Sequence, residues 1–159
     1  GGSNFGGFIA PFMHKKIIKR TNTHMIAVEP ASCPSLTRGS FRYDFCDAQK
    51  ICPMGKMYTL GHDFIPDADH VGGLRYHGMS PILSQFYANQ MFEARAVSMN
   101  DVFESAKIFA RCEGILPALE SSHAIKVAID EALRCKREHK KENIVFCLSG
   151  TGYFDLGAY

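Results

Sequence analysis

Residues 143–150, NIVFCLSG, limit the fold more than any other part of this chain. Ile144, Val145, Phe146, Cys147 and Leu148 follow one another without polar alternation, so a strand built from them is apolar on both faces. Such strands belong to parallel sheets, whose helical crossovers cover both faces. A second short run, HMIAVE at residues 24–29, ends in turn signals at Pro30, Ser32 and Pro34 and reads as another buried strand. Residues 94–98 allow a third. Helical patterns separate these runs. The expected fold class is therefore α/β: a three-layer, open, mostly parallel twisted sheet with helices on both faces, as a single domain over residues 1–159.

The helices announce their ends. Pro81 after Ser80 opens one. Ser98 and Asp101 form a loose capping box for residues 101–111, whose Val102, Ala106 and Phe109 share a face, and Gly114 stops that helix. The central helix is expected over residues 121–139. It follows EGILPALESSHAI, where Glu120, Ser121, Ser122 and His123 crowd four polar side chains onto the helix entrance. Ser121 or Ser122 can act as N-cap, and the helix start offers amides and a positive dipole end to an anion or a polarised ring. An ordinary capped helix has the same signature. At its other end RCKREHKK, residues 134–141, reads as a solvated terminus with cations suited to the negative pole.

The chain opens on GGSNFGG, which runs into a helical pattern that holds Pro11 near its start and ends near Arg20. Glycines let successive amides turn toward an anion, and the helix behind them adds its dipole. The opening also allows a linker scar, or a chain cut from something longer. Residues 31–78 lose all periodicity and are too long for an idle loop, so they are expected to fold over a site. Within them lie His62, Asp63, Asp67, Asp69, His70 and His77. Their spacing matches no zinc pattern, which favours a polar-loop role over a metal centre. His14, His24 and His139 carry no pattern.

A net charge of +2 gives no electrostatic case for nucleic acid or a membrane surface. No apolar stretch approaches the roughly 18 residues that a membrane span needs. The six cysteines form no CxxC pair; Cys112, Cys135 and Cys147 stand among apolar residues and read as small core residues. Reduced thiols and a cytoplasmic protein follow as expectations.

Several separated segments resemble one family. GGSNFGGF resembles the phosphate loop of tryptophan synthase β chains, EGILPALESSHAI their cofactor-proximal helix entrance, and NIVFCLSGTGYFDLGAY their pyridine-contacting strand end. YTLGHDFIP and GGLRYHGMSPILS are similar to the divergent second type of β chain found in many archaea and some bacteria. The resemblance implies the C-terminal part of a pyridoxal-phosphate enzyme of fold type II that joins L-serine and indole into L-tryptophan through an aminoacrylate. Gly1, Gly2, Ser3 and Asn4 would cradle the cofactor phosphate, although the family motif has one more leading glycine. Ser149, with Gly150 beside it, would meet the pyridine nitrogen, and a neutral hydroxyl there leaves that nitrogen unprotonated. Glu120 would lie beside the ring and the reacting carbon, and Asp63 would close over the amino-acid substrate. Backbone carbonyls of Phe64 and Pro66 would match a monovalent-cation site, with spacing at Pro66 that departs from the family.

Pyridoxal chemistry needs a Schiff-base lysine. None of the lysines here sits in a matching motif, so this chain is expected to be inactive alone. An exposed sheet edge implies self-association or a homodimer, and the family implies an α chain as a further partner. A related β-replacement or deaminating enzyme shares the phosphate loop and the serine, whereas LESSHA favours tryptophan synthase. Other classes left open are a non-catalytic module that binds a phosphorylated ligand or a partner chain, and a metal-stabilised domain.

Overall fold

The computed structural model describes residues 2–159, and Gly1 lies outside the described residues. The chain divides into two compact units, one formed by Gly1–Ala68 with Leu74–Ala96 and the other by Asp69–Gly73 with Val97–Tyr159. It is mixed α/β, with helices and parallel sheet, as the expected class has it, although the 143–150 run supplies no strand.

In the first unit, helix α1 (Ser3–Ile17) begins two residues into the chain. Gly6 and Gly7 are therefore helical rather than part of a loop. Pro11 falls mid-helix instead of in the first turns, and the helix ends at Ile17, short of Arg20. Ile9 and Met13 point one face inward, where they meet Met25, Ala27, Leu36, Leu83 and Phe92. Strand β1 (Ile26–Pro30) pairs with β4 (Glu93–Val97), both close to the expected positions. Glu29, near the end of β1, is a buried carboxylate that accepts hydrogen bonds from the Leu36 and Thr37 amides at 2.9 and 2.8 Å. It thereby holds the first turn of the short helix α2 (Ser35–Arg38). Burial pushes this carboxyl above its usual value, against the pull of those donors.

The stretch read as irregular contains regular structure. Strands β2 (Ser40–Phe45) and β3 (Met54–Thr59) form an antiparallel hairpin in which Ser40 faces Thr59 and Phe45 faces Met54. Helix α3 (Pro81–Ala88) follows, with Pro81 in its first turn as the sequence indicates. Tyr58 of β3 and Tyr87 of α3 meet edge to face at 5.0 Å, and Tyr87 stacks on Phe92 at 5.5 Å.

The second unit is built on α4 (Met99–Glu113) packed against α5 (Leu119–Glu138). Ser98 caps α4 by accepting from the Asp101 amide, and Gly114 ends it in the left-handed conformation, both as expected. Val102 and Ala106 of α4 and Leu119 and Ile125 of α5 are all buried. Residues 143–148 adopt no regular element and pair with no strand among the described residues. Val145 is 67% exposed, and only Phe146, against Phe109 at 5.9 Å, has an aromatic partner. The expected terminal strand is thus an apolar run without its sheet. Cys112 is exposed and not a core residue, because α4 turns that position outward; Cys135 is buried and Cys147 half-buried.

No helix among the described residues is long and apolar enough to cross a membrane.

Candidate functional site

Helix α5 starts at Leu119, one residue before the polar cluster, and its N-cap Ala118 offers no side-chain hydrogen bond. This corrects the expected start at Ser121 and frees both serines from capping. Ser122, fully buried, turns its hydroxyl back to the Ala118 carbonyl at 2.9 Å. Ser121 reaches the chain terminus instead. Its hydroxyl accepts from the Ser149 amide at 3.1 Å and donates to the Ser149 carbonyl, with the Ser149 hydroxyl 3.5 Å away. One side chain in the first turn of α5 thus holds both backbone polar groups of Ser149. A strand neighbour would ordinarily supply such partners.

The turn that follows fits tightly on the same helix entrance. Gly150 has φ +76°, and a Cβ there would sit 3.1 Å from the Ala118 methyl, so a side chain would be strained in conformation and tightly crowded. Gly152 donates to the Leu116 carbonyl at 3.0 Å, and the Tyr159 hydroxyl donates to the Pro117 carbonyl at 2.7 Å. Residues 149–159 therefore wrap residues 116–121.

Glu120 projects from the first turn of α5, half-buried. Its Oε1 accepts from the Gly73 amide at 3.1 Å, while Oε2 accepts no hydrogen bond among the described residues. His123, one turn on and 1% exposed, has Nδ1 2.8 Å from the Leu119 carbonyl, so Nδ1 carries the proton. Its Nε2 is a buried acceptor without a donor among the described residues. Burial holds this imidazole below the usual histidine range, which keeps it neutral.

In the first unit, Gly2 precedes α1 with φ +98°, and Ser3 and Asn4 occupy the first turn. A side chain at position 2 would collide with Met79 and Leu83. No side chain caps α1, and the first amides of a helix stand outside its own ladder. Gly2 and Ser3 open onto a groove of about 430 Å³ whose walls include Gly6, Ala10, Leu83 and Phe86.

Asp63 is exposed in the turn closed by the Phe64 amide on the Gly61 carbonyl at 3.0 Å. Beneath that turn lies a buried carboxylate that the sequence did not single out. Asp44, 3% exposed, accepts from the Thr59 hydroxyl at 2.7 Å, from the Phe45 amide at 2.9 Å, and contacts His62 Nδ1 at 2.8 Å. Thr59 in turn accepts from the Gly61 amide at 2.9 Å. Burial alone would raise the Asp44 carboxyl, but these donors and the Arg42 guanidinium bring it down to about 2.

The histidines of this segment each have a separate partner. His62 is bound to Asp44, His77 Nε2 lies 2.9 Å from the Phe45 carbonyl, and His70 Nε2 lies 3.4 Å from Asp155. Among the described residues, no three His, Cys, Asp or Glu side chains converge as metal ligands would. The donor set at Pro66 does not fit a monovalent cation. Its carbonyl already accepts from the Arg75 guanidinium at 3.0 Å, and that charge would repel a second cation.

The structure thus joins Glu120 to Ser149 through Ser121 in the second unit, and places Gly2, Ser3, Asn4 and Asp63 in the first. The sequence missed Ser121 as the anchor of Ser149, Gly73 as a donor to Glu120, and the Asp44 network. A run of adjacent hydroxyls at a helix entrance was the only signal for the first of these.

Small residues at the start of α1 suit a phosphate. A hydroxyl and a carboxylate held at the entrance of α5 suit an aromatic ring that carries a basic nitrogen. Residues 1–150 match the family model described as "Pyridoxal-phosphate dependent enzyme", and the chain belongs to that family. Within it, the chain is 55% identical over 159 residues to the tryptophan synthase beta chain of Thermosipho africanus. It is 52% identical over 159 residues to tryptophan synthase beta chain 2 of Methanosarcina mazei, and 51% over 162 residues to that of Aquifex aeolicus. Each alignment takes in 100% of this chain but only 38%, 36% and 37% of the relative.

Proposed function

We propose that this chain is the part of a tryptophan synthase β-type enzyme that receives the cofactor phosphate and faces the cofactor ring, and that the whole protein joins L-serine and indole. The observation that carries the reading is identity of 50% or more, across the entire chain, to proteins named tryptophan synthase beta chain.

The residues fit pyridoxal phosphate. Gly2, Ser3 and Asn4 would bind the phosphate at the start of α1, where the dipole favours an anion and the φ of +98° at position 2 favours glycine. When bound, the cofactor supplies an electron sink for charge that develops at the substrate α-carbon. Ser149 would meet the pyridine nitrogen with a neutral hydroxyl, its backbone fixed by Ser121. A hydroxyl in that place leaves the nitrogen unprotonated. Glu120 keeps Oε2 available for a proton or a donor beside the ring. Asp63, on a turn stiffened by the Asp44–Thr59–Gly61 chain, would orient the amino-acid substrate and exclude water. Pro66, whose carbonyl accepts from Arg75, has no cation-holding part in this reading. The lysines present carry no Schiff-base motif, so for the chain taken by itself the proposal is binding and not turnover. In the whole enzyme an α chain is the partner that this reading implies.

The test is thermal unfolding with and without pyridoxamine phosphate, which forms no stray aldehyde adduct with surface lysines. Native-state binding stabilises by about 2.7 kcal/mol at a hundredfold excess over Kd. A dose-dependent rise in Tm that is lost in Ser149→Ala supports the reading. An unchanged Tm across the titration overturns it.

A further inference from the structure

Residues 69–73 leave the stretch that surrounds them in sequence and belong to the second unit. Val71 is 1% exposed, and two contacts hold the segment to that unit: His70 faces Asp155 at 3.4 Å, and the Gly73 amide donates to Glu120 Oε1 at 3.1 Å. The second contact differs in kind, because it engages a residue expected at the reacting centre.

The space beside Gly73 is bounded most closely by Glu120. A Cβ at position 73 would lie 2.9 Å from Oε1, 3.1 Å from Cγ and 3.4 Å from Cδ of Glu120, and these are its three nearest neighbours. At the adjacent Gly72 a Cβ would meet nothing within 4 Å. Neither glycine is in the left-handed region, so conformation does not explain the difference. What glycine at 73 permits is the close approach of the carboxylate.

We propose that Gly73 is a positioning residue for Glu120, its amide fixing Oε1 and its missing side chain letting the carboxylate lie against the backbone so that Oε2 is presented to a donor on the bound cofactor or its amino-acid substrate. The inference rests on the reading of Glu120 as a ring-facing residue. A glutamate has three side-chain torsions, and an amide bond to one charged oxygen removes much of that freedom without neutralising the other. Because the donor is a backbone amide, no substitution at 73 deletes it, but any side chain there displaces its acceptor.

Nuclear magnetic resonance on this chain tests the proposal without turnover. In Glu120→Ala the Gly73 amide exchanges about tenfold faster with solvent than in the unaltered protein, the factor expected for loss of a charge-assisted bond. In Gly73→Ala the Glu120 Cγ and Cδ resonances move, whereas in Gly72→Ala they stay in place. The Val71 methyl resonances report in both whether the segment remains docked. An unchanged Gly73 amide in Glu120→Ala overturns the proposal, and so do Glu120 resonances that move equally in the two glycine variants. Pyridoxamine phosphate titration separates this from the functional reading. A bonded Gly73 amide with no cofactor binding sinks only the function, and cofactor binding with a free amide sinks only the positioning.

Discussion

Asp44 in the first unit and Glu120 in the second are both carboxylates held by backbone and hydroxyl donors, yet their surroundings differ in the way that separates a structural acid from a reactive one. Asp44 is 3% exposed, both oxygens are engaged, and its donors come from β2, β3 and the following turn. Glu120 is half-buried, one oxygen is held by one amide, and the other faces no donor among the described residues. A carboxylate engaged at both oxygens and closed off from solvent has little capacity left for a ligand. A half-satisfied one keeps its geometry and still has a lone pair to offer. Full satisfaction marks the residue that stiffens the turn before Asp63, and partial satisfaction marks the one that meets the cofactor in the proposed function.

The comparison breaks if the two carboxylates respond alike to substitution. Asp44→Ala is expected to have the largest effect, about 3 kcal/mol of lost stability, since it strands the Phe45 amide, leaves His62 without its partner and leaves the Thr59 hydroxyl only its longer contact to the His77 carbonyl at 3.3 Å. Chemical denaturation measures it, and a loss under about 1 kcal/mol would place Asp44 with ordinary surface residues. The pH dependence sharpens the same point. The folded carboxyl titrates at about 2, below its unfolded value of 3.8. Its contribution is fully present above the unfolded value and is lost as pH falls through the folded one. Stability should thus fall by about 2 kcal/mol as pH drops from about 4 to about 2, and this component should vanish in Asp44→Asn. Glu120→Gln is the smallest effect. It keeps an acceptor for the Gly73 amide and should change stability by no more than about 0.5 kcal/mol, while it weakens whatever depends on charge at Oε2. A stability loss as large as that of Asp44→Ala would show that Glu120 is structural.

The sequence made local features legible and long-range ones illegible. Pro81, the Ser98–Asp101 cap and Gly114 act within a turn of their own position, so residue type is enough to read them. The hairpin of β2 and β3 was hidden because its strands, SFRYDF and MGKMYT, bury only one and two residues and are joined by residues 46–53 instead of a tight turn. Residues 143–148 show the opposite error. Their apolar character is real, but a strand is defined by a hydrogen-bonded neighbour, and none pairs with them among the described residues. At the candidate site Glu120 and Ser149 were identifiable by resemblance, while Gly73 meets Glu120 across 47 residues and Ser121 meets Ser149 across 28. No periodicity carries such pairings. The hydroxyls at the helix entrance were visible, and their target was not.

The distribution of thiols has a practical consequence. Cys33 lies in the first unit at 2% exposure and Cys135 in the second at 8%, whereas Cys46, Cys52 and Cys112 are exposed. Burial, first of all, raises both buried thiols above their ordinary range, which suppresses the reactive thiolate as well as access to it. Once the exposed thiols and the half-buried Cys147 are blocked, the slow modification of Cys33 clocks the opening of one unit and that of Cys135 the opening of the other. The protein therefore carries a separate internal timer in each half, and a ligand that braces one half alone slows one clock and leaves the other running.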